Sequence, residues 1–350
     1  MKAAIFAGKE RFEVREVDTP HCGEGEVLVK VHACAICGSD LRIFHGSKSI
    51  DVAITGHEIS GTVEEVGEGV ESASVGDRVV IETVVGCGRC DACRRGEENR
   101  CLNNYRAIGY QYNGGFAQFT LIPREAVEQG NVIKVPDSIA FDEAAIVEPL
   151  SCVLNGWEPF KKRSEGFTTV VVGAGPIGML HSEYAKSLGS RVILVNRTAH
   201  RLELAEKIGL SVDELIDASA LNVVEHVIEL TDGVGANVVV CAASSKEIQA
   251  QVLEMAAVDA DVSYFAGISK DDPLAMIDTN LLHYKELHVH GANASNRRQC
   301  LAAVDLIASG KIGVKKIITH RFPLRKIEEA IRTAEDRSMN ALKVIIDPWM

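Results

Sequence analysis

The stretch TTVVVGAGPIG, residues 168–178, carries the most informative fold motif of this 350-residue chain. A run rich in β-branched residues ends at Gly173, and Gly175 and Gly178 complete a G-x-G-x-x-G pattern at the start of a helix-like segment. In that context the first glycine permits a tight turn, the second lets a pyrophosphate approach the backbone, and the third lets the helix pack closely on the strand. The stretch therefore predicts the opening of a dinucleotide-binding Rossmann unit, with a purely structural glycine turn as the alternative.

Strands and helices alternate around this stretch, from about residue 168 to residue 286. The apolar runs RVILVN, ANVVVCAA and DVSYFAG alternate with helix-like segments such as RLELAEKIG, which is typical of a parallel α/β sheet. Residues 26–82 instead hold short β-rich runs between glycine turns, typical of a barrel-like domain. Since the chain is long enough for two cores, we predict a doubly wound Rossmann domain over residues 151–286. A β-rich domain is predicted over residues 1–150 and 287–350.

The composition is that of an ordinary globular protein, with 46% hydrophobic and 25% charged residues. The formal net charge of -12 argues against nucleic acid or an anionic membrane as partner, because both require an excess of Lys and Arg. No apolar run reaches membrane-spanning length, and the first residues lack the long apolar region of a secretory signal. We therefore expect a cytoplasmic protein whose partner is a small polar molecule.

Four of the ten cysteines form a C-x2-C-x2-C-x7-C cluster. In a loop this spacing brings four thiolates within reach of one tetrahedral ion, and four sulfur ligands leave no open coordination position. An iron–sulfur cluster is the rival, but the bacterial ferredoxin run has a shorter last gap and ends in Cys-Pro, whereas Leu102 follows the last cysteine here. Free thiols are a third interpretation. We predict a structural zinc bound by Cys87, Cys90, Cys93 and Cys101.

A second, open metal site is predicted from residues that lie farther apart. Cys37 stands in CGSD after a strand, His57 and Glu58 stand in GHE before the next strand, and Glu148 stands in VEPL. Asp40 is expected to accept a hydrogen bond from the second imidazole nitrogen of His57. Taken singly, these could be a buried small side chain, a core histidine and a helix-terminal surface charge. Together they have the donor types of a catalytic zinc site with a free position.

The order CGSD, GHE-x2-G, four-cysteine loop, GGFAQF and EP closely resembles the zinc-containing medium-chain alcohol dehydrogenase family, particularly its sorbitol (polyol) dehydrogenase branch, along the whole chain. The resemblance implies a GroES-like catalytic domain beside the Rossmann domain. It implies that Cys37, His57 and Glu148 hold the catalytic zinc, with Glu58 nearby as a water-mediated or exchangeable ligand. It further implies that Ser39 contacts the reacting hydroxyl and passes its proton outward; a turn or capping serine is the alternative.

The end of the second Rossmann strand addresses the choice of cofactor. An NAD-preferring site places Asp or Glu there, but this chain has Asn196, followed by Arg197 and Thr198, which can bind a 2'-phosphate. This favours NADP, although Asn196 could bind the ribose of NAD and Arg197 could be a surface charge. Arg201, one helical turn later, could flank the adenine or be a surface charge. Further cofactor contacts are predicted at Pro176, Ile177, Cys241, Ala242, Ala266, Gly267 and Ile268.

We therefore expect an NAD(P)-linked oxidoreductase with two zinc ions per chain, acting on a secondary alcohol or ketone of a polyol, sugar derivative or cyclitol. The resemblance implies a homodimer or homotetramer. Arg42 stands at the place of the family's relay histidine, for which His45 could substitute, and Ile43 replaces a tyrosine of animal sorbitol dehydrogenases. The stretch 293–295 lacks the Arg-Tyr pair of those enzymes, which argues against sorbitol itself. Residues 297–298, both Arg, could meet a carboxylate or phosphate, or be surface charges at a helix start.

Three other functions remain under consideration. One is a non-catalytic NADP-binding zinc protein on the same fold. Another is oxidation of a hydroxy amino acid, as in threonine dehydrogenase. A metal-free quinone or enone reductase of the same superfamily is disfavoured, because such a protein should lack both sets of metal ligands.

Overall fold

A computed structural model of the protein describes residues 1–161 and 163–350, which divide into two compact units. The first unit joins Met1–Ser151 to Ala294–Met350, and the second is Cys152–Asn293. The first boundary thus lies one residue from the predicted 150/151 division. The second lies after Asn293 rather than at the predicted 286/287 division, because an additional parallel strand precedes it.

The first unit begins with short strands and helices in the order β1 (Lys2–Gly8), β2 (Arg11–Glu16), β3 (Val27–Ala35), α1 (Gly38–Phe44), β4 (Glu58–Val66), β5 (Arg78–Ile81), β6 (Val84–Val85), α2 (Asp91–Arg94), β7 (Arg106–Ala107), β8 (Phe119–Ile122), α3 (Arg124–Glu128), β9 (Val132–Lys134) and α4 (Phe141–Ala144). Helix α5 (Val147–Trp157) follows and contains the boundary between the two units, after Ser151. Strand β3 shows why these segments form a sheet. From Val29 onward, Val29, Val31 and Ala33 are fully buried, whereas Lys30 and His32 between them are partly exposed. This alternation matches the two-residue period of a strand with one face toward a core.

The second unit contains β10 (Thr168–Val172), α6 (Pro176–Ser187), β11 (Arg191–Asn196), α7 (Ala199–Lys207), β12 (Glu214–Asp217), α8 (Val223–Leu230), β13 (Ala236–Cys241), α9 (Lys246–Glu254), β14 (Ala256–Tyr264), α10 (Thr279–Tyr284) and β15 (His288–Gly291). Its strands form one parallel sheet in the order β12-β11-β10-β13-β14-β15. The chain adds β11 and β12 on one side of β10 and then crosses to place β13 on its other side. The direction in which strands are added therefore reverses at β10. Ligands of open α/β sheets bind at such a reversal, outside the carboxyl ends of the strands.

Strand β15 differs from the prediction, which assigned residues 287–293 to the β-rich domain. It pairs with β14 as the edge strand of the parallel sheet, with His288 opposite Asp261. The short sequence HVHG has no feature that distinguishes one sheet from the other, and its partner strand lies more than twenty residues earlier. The pairing is therefore decided by tertiary contacts rather than by local sequence.

The chain then returns to the first unit through α11 (Arg297–Ala308), β16 (Ile318–Pro323), α12 (Ile327–Glu335) and β17 (Lys343–Asp347). The main sheet of this unit has the order β16-β17-β3-β4-β5-β9, with β8 paired to β3. Helix α12 covers it with Ile327, Ala330 and Ile331, whose spacing places them on one helix face. Among the described residues, no helix combines the length and apolarity needed to cross a membrane.

The register of the first unit brings three strand ends together. Ala35, the last residue of β3, pairs with Glu58, the first residue of β4. Ala35 also pairs with Ile345 of the antiparallel strand β17, whose first residue is Lys343. Side chains just beyond the end of β3 therefore meet those at the start of β4 and β17.

Candidate active site

Two local features place Cys37 and His57 at this meeting point. Cys37 is the N-cap of α1, and Asp40 accepts a hydrogen bond of 2.8 Å from the Cys37 backbone N–H. His57 follows Gly56, whose φ of +88° is a conformation that side chains rarely adopt. Gly114 lies against this turn, since a Cβ there would be 2.1 Å from the carbonyl oxygen of Gly56. The glycines of GHE and GGFAQF thus let two backbones pack directly on each other.

The structure brings Cys37, His57 and Glu58 together. One ligand atom from each lies within 4.8 Å of the other two, and both His57 and Glu58 are buried. Glu148, in the first turn of α5, does not belong to this set of described ligand atoms, and its place as a ligand remains a prediction.

The charges in this cluster favour a bound cation. Burial by itself raises the pKa of Cys37, but the positive charge of His57 outweighs it and brings the pKa to about 6. Burial lowers the pKa of His57, yet the charges of Asp40 and Cys37 raise it to about 10, and Glu148 adds to this effect. The cluster therefore holds a thiolate and several carboxylates around one imidazole.

Asp40 does not form the predicted hydrogen bond with His57. Its Oδ1 lies 3.8 Å from Nδ1 of His57, which is an ion-pair distance, because the other oxygen of Asp40 binds the backbone of Cys37. Both of these buried atoms lack a hydrogen-bond partner in the described structure. A thiolate, an imidazole with an unpaired nitrogen and a carboxylate are the donors that zinc binds in proteins. The residues present therefore fit a zinc ion.

Lys343 is a residue of this site that sequence analysis missed. Its ammonium donates to both carboxylate oxygens of Glu58, one of them at 2.6 Å, and both side chains are buried. Burial lowers the pKa of Lys343, but the Glu58 carboxylate outweighs it and holds the pKa above its ordinary value. A single lysine inside the apolar run ALKVIID was the available signal, because a buried lysine requires an acidic partner.

Tyr110 is a second missed residue. Its hydroxyl donates a hydrogen bond of 2.7 Å to Oγ of Ser39, and its ring centroid lies 5.2 Å from that of His57. The ammonium of Lys48 lies 3.9 Å from the centroid of the same ring. Ser39 itself is buried at the start of α1, beside the N-cap. No motif in the sequence marks Tyr110, because the contact joins it to a helix residue 71 positions earlier in the chain.

Glu82, Ser151 and Ser295 form a buried polar network in the same unit. Ser295 donates a hydrogen bond of 3.0 Å to Glu82, and Ser151 donates one of 2.8 Å to Ser295. Burial and the nearby charge of Glu148 raise the pKa of Glu82 to about 7. Ser295, in the stretch that lacks the Arg-Tyr pair of animal sorbitol dehydrogenases, thus binds other side chains of the protein.

The other residues considered for proton relay and substrate contact lie elsewhere. Arg42 is exposed, Ile43 is fully buried, and both ring nitrogens of His45 face carboxylates, Glu10 at 3.1 Å and Glu335 at 2.6 Å. Both ring nitrogens of His45 are therefore engaged by carboxylates. The two arginines at 297–298 are exposed at the start of α11, which favours their interpretation as surface charges.

The predicted structural zinc ligands also come together. The sulfur atoms of Cys87, Cys90, Cys93 and Cys101 all lie within 4.8 Å of one another, and none of these cysteines is in a disulfide. Hydrogen bonds from the backbone of Arg89 and the side chain of Asn103 lower the pKa of Cys87 to about 5. Four sulfur donors around one point fit a closed tetrahedral zinc site.

In the second unit the three motif glycines have three distinct surroundings. Gly173 has a φ of +110° directly after β10. A Cβ on Gly178 would lie 1.7 Å from the carbonyl oxygen of Gly173, so no side chain fits there. A Cβ on Gly175 would meet nothing within 4 Å, so the backbone at the N-terminus of α6 faces open space. A helix N-terminus with an open approach is an anion-binding position.

The residues predicted around the adenosine half lie at the end of β11. Asn196 accepts a hydrogen bond of 3.1 Å from the backbone N–H of Ala174 and donates to the carbonyl and hydroxyl oxygens of Thr198 at 3.0 and 3.2 Å. Arg197 is exposed, and Arg201 lies partly buried in the first turn of α7. Asn196 therefore ties the glycine loop to the start of α7.

The residues predicted around the nicotinamide half lie at the ends of β13 and β14. The carbonyl oxygen of Cys241 accepts hydrogen bonds from the N–H groups of Phe265 and Ala266, at 3.1 and 3.0 Å. Ala242 lies beside the glycine loop, since a Cβ on Gly173 would be 3.1 Å from its carbonyl oxygen. Gly267 is exposed, whereas Ile268 is partly so. Together with Pro176 and Ile177 at the start of α6, these residues line one edge of the sheet.

Comparison with known proteins identifies the family. Residues 23–137 match the model of the alcohol dehydrogenase GroES-like domain, and residues 176–309 match that of the zinc-binding dehydrogenases. A sorbitol dehydrogenase from Halalkalibacterium halodurans is 30% identical, with 99% of each chain covered. An L-threonine 3-dehydrogenase from Pyrococcus abyssi is 35% identical over 91% of this chain and 90% of its own. A D-arabitol-phosphate dehydrogenase from Enterococcus avium is 31% identical over 97% and 95%.

Solved structures agree. A zinc-binding dehydrogenase from Sinorhizobium meliloti 1021, bound to NADP, has a TM-score of 0.89 at 30% identity. An alcohol dehydrogenase from E. coli CFT073, in complex with NADH, has a TM-score of 0.89 at 28% identity. Each comparison covers 99% of both chains. The chain belongs to the zinc-containing medium-chain alcohol dehydrogenase family, and it is an oxidoreductase that uses zinc and a nicotinamide cofactor. This confirms the family and the fold class predicted from the sequence.

Proposed function

We propose that the protein oxidises a secondary alcohol of a polyol, sugar derivative or cyclitol, or reduces the matching ketone. The observation that carries this proposal is the buried set of Cys37, His57 and Glu58, with Ser39 and its hydrogen-bond partner beside it. This combines an open set of zinc donors with a hydroxyl that can exchange a proton. A non-catalytic protein would need neither.

The catalytic zinc would be held by Cys37 and His57, with Glu148 as the third ligand and Glu58 as the exchangeable one. When bound, zinc supplies a Lewis acid that lowers the pKa of the substrate hydroxyl, and the nicotinamide ring accepts or returns the hydride. Lys343 holds the Glu58 carboxylate and so limits when that carboxylate is available as a ligand. Asp40 keeps the first turn of α1, and with it Cys37, in place.

Ser39 would take the substrate proton. A serine hydroxyl has one hydrogen to donate and two lone pairs. One lone pair accepts the hydrogen bond from Tyr110, so the other would receive the substrate proton as the serine hydrogen passes to a water molecule. The second zinc would be held by the four clustered cysteines and would stabilise their loop without taking part in the reaction.

NADP is the proposed cofactor, with NAD as the alternative. No carboxylate stands at the end of β11 to repel a 2'-phosphate. The amide of Asn196 is held between the glycine loop and Thr198, and exposed Arg197 follows it directly. A guanidinium in that place can bind a phosphate through paired hydrogen bonds. One structurally similar protein is bound to NADP and another to NADH, so relatives use both.

A second candidate substrate is a hydroxy amino acid. The L-threonine 3-dehydrogenase relative is 35% identical, against 30% for the sorbitol dehydrogenase relative. We favour the polyol class because relatives with sugar-alcohol substrates match a larger share of the chain. A cytoplasmic location, supported by ten free cysteines, and a homodimer or homotetramer complete the proposal.

The test is a substrate panel of polyols, polyol phosphates, sugar acids, cyclitols and L-threonine, each with NAD and NADP, following reduced nicotinamide by absorbance. Turnover of a sugar-derived alcohol should fall at least about a hundredfold in Cys37→Ala and His57→Ala. Cys22→Ser, a change at a cysteine outside both clusters, is the control and should keep the activity. Oxidation of L-threonine alone would replace the polyol proposal, and no turnover by zinc-loaded protein would contradict it.

A further inference from the structure

A cavity of about 560 Å³ in the first unit adjoins the candidate active site. Its lining includes the cations Lys48 and Arg100, the amides Asn104 and Gln111, and the hydroxyl-bearing rings Tyr105 and Tyr110. The lining also includes Cys101 of the four-cysteine set, and none of the described residues that line it is Asp or Glu. Lys48 and Arg100 are therefore the cationic side chains that a ligand in this cavity would meet.

Tyr110 connects this cavity to the reacting groups. It lines the cavity, while its hydroxyl binds Ser39 at 2.7 Å and its ring lies 5.2 Å from the His57 ring. The Lys48 ammonium is 3.9 Å from the same ring. The distance from the ammonium to the His57 ring is therefore at most the sum of the two ring distances. With C–C bonds of about 1.5 Å, an extended sugar-alcohol chain spans such a distance.

The donors around the cavity suit an anion. A lysine ammonium carries three N–H donors and an arginine guanidinium five, and Arg100 directs its Nη1 toward Glu97 at 3.5 Å. Phosphate and carboxylate oxygens are the acceptors that such cations bind most strongly, through charge-assisted hydrogen bonds. The amide and phenol groups of the lining add N–H and O–H donors that can hydrogen-bond to a phosphate or to a carboxylate.

We propose that this cavity binds the anionic end, a phosphate or a carboxylate, of a polyhydroxylated substrate whose reacting carbon lies near Ser39 and His57. This inference rests on the proposed polyol-type function. Phosphate and carboxylate share the chemistry, so the experiment includes one substrate of each kind.

The test compares kcat/KM of the zinc-loaded enzyme for galactitol 1-phosphate, galactitol and a sugar acid, D-gluconate. The wild type should prefer at least one anionic substrate to galactitol by tenfold or more. Lys48→Gln and Arg100→Gln should each reduce that preference about tenfold, mainly through KM, as expected for one charge-assisted hydrogen bond. Lys311→Gln, at an exposed lysine outside the cavity, is the matched control and should not change it. The anionic substrate that the wild type prefers shows whether the cavity binds a phosphate or a carboxylate.

Equal kcat/KM for galactitol and both anionic substrates would overturn the inference while leaving the proposed function standing. So would variants that reduce the activity on all substrates equally. If no substrate is turned over, the proposed function fails, and calorimetric titration of galactitol 1-phosphate into the same zinc-loaded proteins still decides about the cavity. Binding weakened about tenfold by either variant supports the site, whereas no binding or equal binding contradicts it.

Discussion

Glu58 and Lys343 form a buried, doubly hydrogen-bonded ion pair at the candidate metal site. Two opposite charges are removed from water together, and the two hydrogen bonds from the ammonium offset the loss of hydration. The pair joins the start of β4 to the start of β17 across 285 positions of sequence. It therefore fixes the Glu58 carboxylate beside Cys37 and His57 through a contact that no local pattern encodes.

Replacing Lys343 by Met should lower the free energy of unfolding by about 3–5 kcal/mol, because it leaves a buried carboxylate without its partner. The double variant with Glu58→Gln should recover most of that loss. Urea unfolding of the zinc-loaded proteins measures both, and Lys311→Met, at an exposed lysine, serves as control. A single variant as stable as the wild type would show that the ion pair does not hold the strands.

Glu82 gives a pH dependence whose sign can be derived. Burial raises its pKa from 4.5 to about 7, so the folded protein binds this proton more tightly than the unfolded chain does. The free energy of unfolding should therefore fall as the pH rises from about 4.5 to 7, by about 3 kcal/mol for this group.

Glu82→Gln removes the titrating group but keeps an acceptor for Val84 N–H and a partner for Ser295. The variant and the wild type should be similarly stable near pH 4.5, and the variant should be more stable by about 3 kcal/mol at pH 8. Thermal unfolding measured across this pH range provides the test. Parallel curves for the two proteins would mean that Glu82 does not titrate as described.

At the scale of elements, the turn between β10 and α6 separates a packing glycine from a binding glycine. Gly178→Ala should disturb the packing of α6 and destabilise the protein by about 1–3 kcal/mol, because its Cβ would overlap the Gly173 carbonyl oxygen. Gly175→Ala meets no protein atom, so the melting temperature should change little. Its methyl group would instead occupy the approach of the pyrophosphate, and the Kd for NADP should rise about tenfold or more.

Differential scanning calorimetry and fluorescence titration with NADP separate these two effects. The two variants are matched controls for each other, since both add one methyl group to the same turn. Unchanged NADP binding in Gly175→Ala would place the pyrophosphate elsewhere. Equal melting temperatures for both variants would contradict the packing role of Gly178.

The elements also show what the sequence could predict. The stretch TTVVVGAGPIG correctly predicted β10, the turn and the start of α6, because periodicity and glycine spacing are local properties of the sequence. The strand β15 was placed in the wrong unit, because HVHG carries no information on which sheet edge it joins. In the site, Cys37, His57 and Glu58 stand in recognisable motifs. Lys343 and Tyr110 do not, since their roles arise only when distant segments meet.

For the whole molecule, two sets of candidate metal ligands lie in one unit and the glycine motif proposed to bind the cofactor lies in the other. The four-cysteine set is closed, whereas the set at Cys37 and His57 is completed by oxygen donors and has an adjoining hydroxyl.

The most direct test is the zinc content per chain, measured by elemental analysis of the purified protein and of two variants. We predict two zinc ions per chain in the wild type, one in His57→Ala and one in Cys93→Ala. Polyol oxidation should be lost in His57→Ala. Cys93→Ala tests the structural site and should be the less stable of the two. A His57→Ala variant that keeps as many zinc ions as the wild type would contradict the assignment of a zinc site at Cys37 and His57.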